Sequence, residues 1–278
     1  MAHNIRPCPR DLAAIELTER SPLLTSQLTD LLWFPSTKKA AERLCELHRA
    51  GYVQRTPYYQ RTMQGKPEFV YYRGARPHPR TLQHTIGIAA VHVDLTAWLR
   101  HNKEYTATFY YTHEAPTSTG IIPDATIIMQ KHNATALFFI EVDTGTESLT
   151  STSSYSLNAK LHEYAAYFDN GAYQQDFGKH GDLRGFRVAI VMPQRRLHHL
   201  QGILAREGLD FVQLTTPDHV REGWDQPVWT AYNGTMLDFF GRTSRGIGGG
   251  VGQATTPHHH EEQLMLDQPL TTAEGTGF

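Results

Sequence analysis

The chain has 278 residues, of which 40% are hydrophobic and 19% charged, with two cysteines and a net charge of −2. Cys8 and Cys45 are too few for a disulfide framework or a cysteine-built zinc site, and no apolar run approaches the ~20 residues of a membrane span. The N-terminal stretch "MAHNIRPCPRDLAAIELTER" is charged where a secretory leader would be apolar, so the expectation is a cytoplasmic protein with no membrane partner.

Charge is unevenly placed. Residues 1–80 hold 13 Lys and Arg against 7 Asp and Glu, whereas the remainder holds 13 against 21. A basic N-terminal module that meets phosphate, beside an acidic module, is the reading this asymmetry favours.

In chain order, "DLAAIELTERS" and "TSQLTDLLWF" read as two short helices, the second with Thr25 as its N-cap. In "PSTKKAAERLCELHRAGYV", Ser36 caps a third helix whose apolar stripe is Ala40, Leu44 and Leu47, with Gly51 at its C-terminal end. "YVQRTPYYQRTMQGKPEFVYYR" alternates as a β-hairpin around a turn at residues 64–67. Three helices and a hairpin over residues 1–78 predict a winged helix-turn-helix. Its third helix would face DNA with Ser36, Lys38, Lys39 and Arg43, and its wing with Arg55, Arg61, Gln64 and Lys66. Double-stranded DNA is the expected partner, and a homodimer on a palindromic site stays open.

Residues 79–102 read as one connecting amphipathic helix with Leu82, Ile86, Ala89, Val93 and Leu99 roughly in phase. His84 and His92 lie near one of its faces, where a metal or phosphate contact is one reading and an ordinary interface the other.

Residues 103–243 alternate apolar strands with helices. "EYTATFYYTHE", "PDATIIMQ" and "TALFFIEVD" predict three strands. "SSYSLNAKLHEYAAYFDNG" predicts a helix, "GFRVAIVMP" a strand, "RRLHHLQGILAREG" a helix and "DFVQLTT" a strand. The class is α+β or α/β, with a mixed sheet covered by helices. Strand alternation puts Phe139, Glu141 and Asp143 on one face. A hairpin brings Asp124 to the end where those acids emerge. Converging carboxylates require a cation, and hard oxygen ligands point to Mg²⁺ or Mn²⁺. Lys160 leans from the following helix toward the acids, and Glu114 and Glu147 are possible extra ligands.

An Asp at a strand start, an acidic pair closing the next strand and a nearby Lys resemble the PD-(D/E)xK nuclease superfamily, with Pro123-Asp124 as the "PD". Asp143 stands where that pattern has its lysine, and Lys160 fits the members that carry the lysine on the next helix. The order of modules, with "EVDTGTE" followed by "KLHEY", resembles the plasmid replication-relaxation family, which includes MobC-type proteins, from Leu12 to Phe240. The resemblance implies a restriction-endonuclease-like domain that nicks DNA for plasmid or mobile-element replication or transfer, with contacts to other mobilisation or replication proteins left open. Asp124, Glu141, Asp143 and Lys160 would be catalytic, and the first three would hold the metal. A non-catalytic accessory or regulator on a degenerate nuclease fold is the alternative.

Other chemistries fit less well. Within residues 1–250 no two histidines are separated by a single residue, which disfavours a tyrosine relaxase. "GRTSRGIGGGVGQ" lacks the Gly-Lys-Ser/Thr ending of a phosphate-binding loop. Residues 244–278 are polar and Gly/Thr-rich and read as a disordered tail.

Overall fold

The structure is a computed structural model that describes residues 5–59, 67–145 and 156–243. Arg61, Gln64 and Lys66 at the tip of the expected hairpin, Glu147, and the tail at 244–278 lie outside the described residues.

The N-terminal part runs α1 (Pro9–Arg20), β1 (Leu23–Leu24), α2 (Thr25–Leu31), α3 (Thr37–Arg49), β2 (Gln54–Tyr58) and β3 (Glu68–Tyr72). Ser36 caps α3, its side chain accepting the backbone N–H of Lys39 at 3.3 Å. Ala40, Leu44 and Leu47 are fully buried, and Gly51 takes φ +81° just past the helix end, the left-handed turn that glycine adopts without a Cβ penalty. Two details differ from the expectation. Leu24 rather than Thr25 occupies the N-cap of α2, because residues 23–24 are drawn into a short strand. That strand pairs with β3, so the sheet is three-stranded and antiparallel in the order β1-β3-β2.

α1 and α3 are locked by charge. The buried Asp11 carboxylate accepts the Cys8 N–H at 2.7 Å and pairs with Arg43 at 2.5 and 2.9 Å. A buried carboxylate stripped of such a partner is strongly destabilising, so Arg43 holds the helices together, with Glu46 also on its guanidinium at 2.6 Å.

α4 (Pro79–His101) follows. Leu82 and Ile86 pack on Leu24 and Val70. Ile88, Ala89, Val91, Leu95 and Trp98 join a cluster that includes Leu23 and Leu28 on one side and Phe109, Ile127, Phe138 and Ile140 on the other. The single stripe read from the sequence is therefore incomplete. Val93 and Leu99 are only partly buried, and the helix is apolar on more than one side because it is sandwiched.

The larger sheet contains β4 (Tyr105–Tyr111), β5 (Ala125–Lys131), β6 (Ala134–Val142), β7 (Phe186–Val191), β8 (Val212–Thr215), β9 (Trp229–Ala231) and β10 (Met236–Leu237). Its order is β10-β9-β8-β7-β6-β5-β4, with β6, β7 and β8 parallel and the other neighbours antiparallel. One face carries α5 (Leu157–Asp169), α6 (Ala172–Phe177) and α7 (Gln194–Glu207); Leu161, Tyr164, Leu200 and Leu204 pack there on Phe139, Val188 and Leu214. The other face carries α4, α8 (Pro217–Glu222) and the aromatic group Trp224, Trp229 and Phe239. The short elements α6, α8, β9 and β10 were not anticipated from the sequence; none exceeds six residues, too few for periodicity to register. Among the described residues, no helix is long and apolar enough to cross a membrane.

Gly87 sets the approach of α4 to the sheet. A Cβ there would stand 2.9 Å from Cγ1 of Val142, a stiff β-branched side chain that is itself buried. Gly87→Ala gains about 1 kcal/mol of helix propensity, but overpacking against Val142 costs about 1–3 kcal/mol. The expected outcome is a net loss of about 1 kcal/mol, read as a lower urea midpoint at unchanged slope.

Candidate active site

The β5–β6 hairpin turns through two residues, His132 and Asn133, between the paired Lys131 and Ala134. Counting back in that register from Ala125 opposite Ile140 brings Asp124 level with Glu141. Period-two alternation puts both on the face that carries α5 and α7. The acids emerge where the parallel strands β6 and β7 end, the crevice that open α/β sheets use for ligands.

Each carboxylate is held differently. Asp124 receives the backbone N–H of Val142 at 2.7 Å on Oδ2, while Nε2 of His84 lies 3.0 Å from Oδ1. Glu141 is buried; Oε2 accepts from Nζ of Lys160 at 2.7 Å and Oε1 from the Tyr164 hydroxyl at 2.6 Å. Lys160 and Tyr164 are one turn apart on α5, so a single helical face delivers both donors. Asp143 accepts the Gly145 N–H at 2.7 Å. Nε of Arg196, on the first turn of α7, lies 2.7 Å from its Oδ2, close enough for an ion pair though not aligned as a hydrogen bond.

His84, Asp124, Glu141, Val142, Asp143, Leu157 and Lys160 line a pocket of roughly 130 Å³. At ~30 Å³ per water that is room for an ion with part of its hydration shell. Burial pushes the Glu141 carboxyl up to about 8, with the Asp124 charge adding to the rise and Lys160 and Tyr164 opposing it.

The structure thus brings together Asp124, Glu141, Asp143 and Lys160, as the sequence predicted. It adds His84, one of the two helix histidines. It also adds Tyr164 and Arg196, which the sequence reading left without a role. The i, i+4 spacing of Lys160 and Tyr164 could have revealed the tyrosine; Arg196 carries no local signal, since it meets Asp143 only through the packing of α7. His92 goes elsewhere. It stacks on Phe109, its Nδ1 is 2.8 Å from the Tyr111 hydroxyl, and burial holds it neutral, with its pKa lowered to about 4. Glu114 is taken by Arg20 at 2.8 Å and by the Tyr111 N–H at 2.7 Å, away from the pocket.

Among the described residues, no three His, Cys, Asp or Glu side chains form a ready-made metal cage. Asp143 is committed to Arg196. Asp124 and Glu141 alone are a donor set suited to a Mg²⁺-type ion, which uses one or two carboxylates and keeps much of its water.

Of the nucleic-acid contacts predicted in the N-terminal part, Ser36 is an exposed cap and Lys38 an exposed side chain. Lys39 is exposed and touches Glu42 at 3.0 Å. Arg43 is engaged by Asp11 and Glu46, and Arg55 lies 4.3 Å over the Phe69 ring.

Fold and site together define an α+β protein with a mixed seven-stranded sheet and a carboxylate–lysine pocket at the ends of its central parallel strands. Residues 72–183, which contain Asp124, Glu141, Asp143 and Lys160, match the family model described as Replication-relaxation. The match supports a replication-related protein that acts on DNA. No curated protein matches the chain. Among solved structures, the restriction endonuclease FokI is similar at 9% identity and a TM-score of 0.31, over 76% of this chain and 42% of that one. The chain therefore spans less than half the length of that neighbour, and its fold is defined by its own strand order.

The buried Glu141 makes a pH signature. A carboxyl whose pKa rises on folding, here from an ordinary 4.5 to about 8, favours the folded state while protonated. That contribution is complete below about pH 4.5 and fades as pH climbs through 8. In chelator, the unfolding free energy of the wild type should fall across this window relative to Glu141→Gln, with the two converging at the acid end in urea titrations.

Proposed function

We propose that the protein is a site-specific DNA-binding protein of plasmid or mobile-element replication or transfer, and that its pocket is a metal-dependent DNA-nicking site of the restriction-endonuclease-like kind. The observation that carries the reading is Glu141. A carboxylate is buried across from Asp124 and bonded to a helix lysine at the mouth of parallel strands. Burial, with the facing Asp124 charge, raises its pKa by more than Lys160 and Tyr164 offset, so a further cation in the pocket would favour the charged form.

In this reading Asp124 and Glu141 hold Mg²⁺ or Mn²⁺. Such an ion, when bound, lowers the pKa of a coordinated water and offsets charge on the scissile phosphate. Lys160 brings a positive charge to the pocket wall, where it stabilises charge building on the phosphate. Asp143 and Arg196 brace the start of the segment that leaves β6. The helix order and hairpin of the N-terminal part support a winged helix-turn-helix, with α3 presenting Lys38 and Lys39 to double-stranded DNA. Homodimers on palindromic sites and contacts with other mobilisation proteins are compatible with this assignment.

The second reading is a DNA-binding accessory protein on a degenerate nuclease fold. The observation that favours it is that every oxygen of Asp124, Glu141 and Asp143 lies within 3.0 Å of a protein donor nitrogen or hydroxyl.

The deciding assay is conversion of supercoiled plasmid carrying the native locus to open circle, in Mn²⁺, Mg²⁺ or EDTA. Wild type should nick only with metal, and Glu141→Ala should lose at least about a hundredfold at equal DNA binding. Tight binding with no nicking in any metal selects the accessory protein. Separately, Lys38→Ala with Lys39→Ala should weaken binding across all sequences and reduce the salt slope by about two, measured by fluorescence anisotropy.

A further inference from the structure

We infer that Tyr164 is a positioning residue that confines Glu141 to one pocket-facing oxygen and thereby sets which divalent ion the site accepts; this rests on the metal-dependent reading above. Lys160 lines the pocket, whereas Tyr164 does not and is fully buried. The Tyr164 ring packs 5.3 Å from that of Phe139 and 6.0 Å from that of Phe186. Glu141 Oε1, held by Tyr164 at 2.6 Å, is therefore turned into the aromatic layer between sheet and helices. Oε2, on Lys160 at 2.7 Å, is the oxygen at the pocket wall.

The clamp is built into the core, since Tyr164 is fully buried and its ring packs on Phe139 and Phe186. Bidentate use of Glu141 would have to break this short bond and leave the hydroxyl unpaired in apolar surroundings. Mg²⁺ demands compact octahedral coordination and is content with single carboxylate oxygens. Ca²⁺ takes six to eight oxygens at longer distances and readily uses a carboxylate bidentately. A one-oxygen Glu141 thus suits the small ion and disfavours the large one.

The test uses the full-length protein, with Mn²⁺ binding followed by electron paramagnetic resonance of the free ion and displaced by Mg²⁺ or Ca²⁺. Tyr164→Phe should improve Ca²⁺ competition relative to Mg²⁺ by about tenfold, the scale of one hydrogen bond. Tyr167→Phe, whose hydroxyl bonds Asp176 at 2.6 Å instead, should leave the ratio alone. An unchanged ratio in a folded Tyr164→Phe protein, or equal changes in both variants, overturns the inference. Absence of Mn²⁺ binding by wild type overturns the metal reading itself. Should Tyr164→Phe fail to fold, infrared spectra of the wild type decide: a wide, monodentate carboxylate splitting on Mg²⁺ loading supports the clamp, and a bidentate pattern removes it.

Discussion

A carboxylate buried in the middle of an apolar layer is the constraint around which the larger half of the molecule is arranged. Glu141 sits among aromatic rings and cannot be left without donors, since an isolated buried charge costs several kcal/mol or more. Two donors come from one face of α5, so the helix must pack against β6 at a single rotation and height. That requirement explains why α5 buries Leu157, Leu161 and Tyr164 together while Lys160 remains at its edge. Core packing and site geometry are here one problem with one solution.

The opposite face answers a different demand. α4 is the common wall between the N-terminal helices and the sheet, and it carries His84 to Asp124 from the far side of β6. Gln27 of α2 donates to the Ile86 carbonyl at 2.9 Å, and Arg20 at the end of α1 donates to the Phe109 carbonyl at 2.6 Å. With the shared apolar cluster, these bonds fix the N-terminal helices relative to the pocket.

Long, strongly patterned elements were legible in the sequence. The stripe of α3, the hairpin of β5 and β6, and the alternating strands and helices after residue 103 all follow from periodicity and end signals. So does the convergence of Asp124 and Glu141, because strand alternation and a short polar turn determine it locally. What was not legible depends on tertiary contact. Arg43 reads as a basic residue on a recognition helix, yet the buried Asp11 takes it. Asp143 reads as a third ligand, yet Arg196 arrives from a helix fifty residues on. Val93 fits the helical phase of α4, but the direction from which neighbours press is not written in that phase. The histidines of α4 show the same limit, since two residues on one helix meet entirely different surroundings.

The two-residue turn at His132 and Asn133 has a consequence for how this protein can vary. It sets the parity of the hairpin. Adding or removing one residue in either strand would send Asp124 and Glu141 to opposite faces of the sheet, one facing α5 and the other α4. Substitutions along β5 and β6 exchange one apolar contact for another, but a single-residue length change would dismantle the pocket outright. This hairpin can change length only by steps that return both acids to the same side.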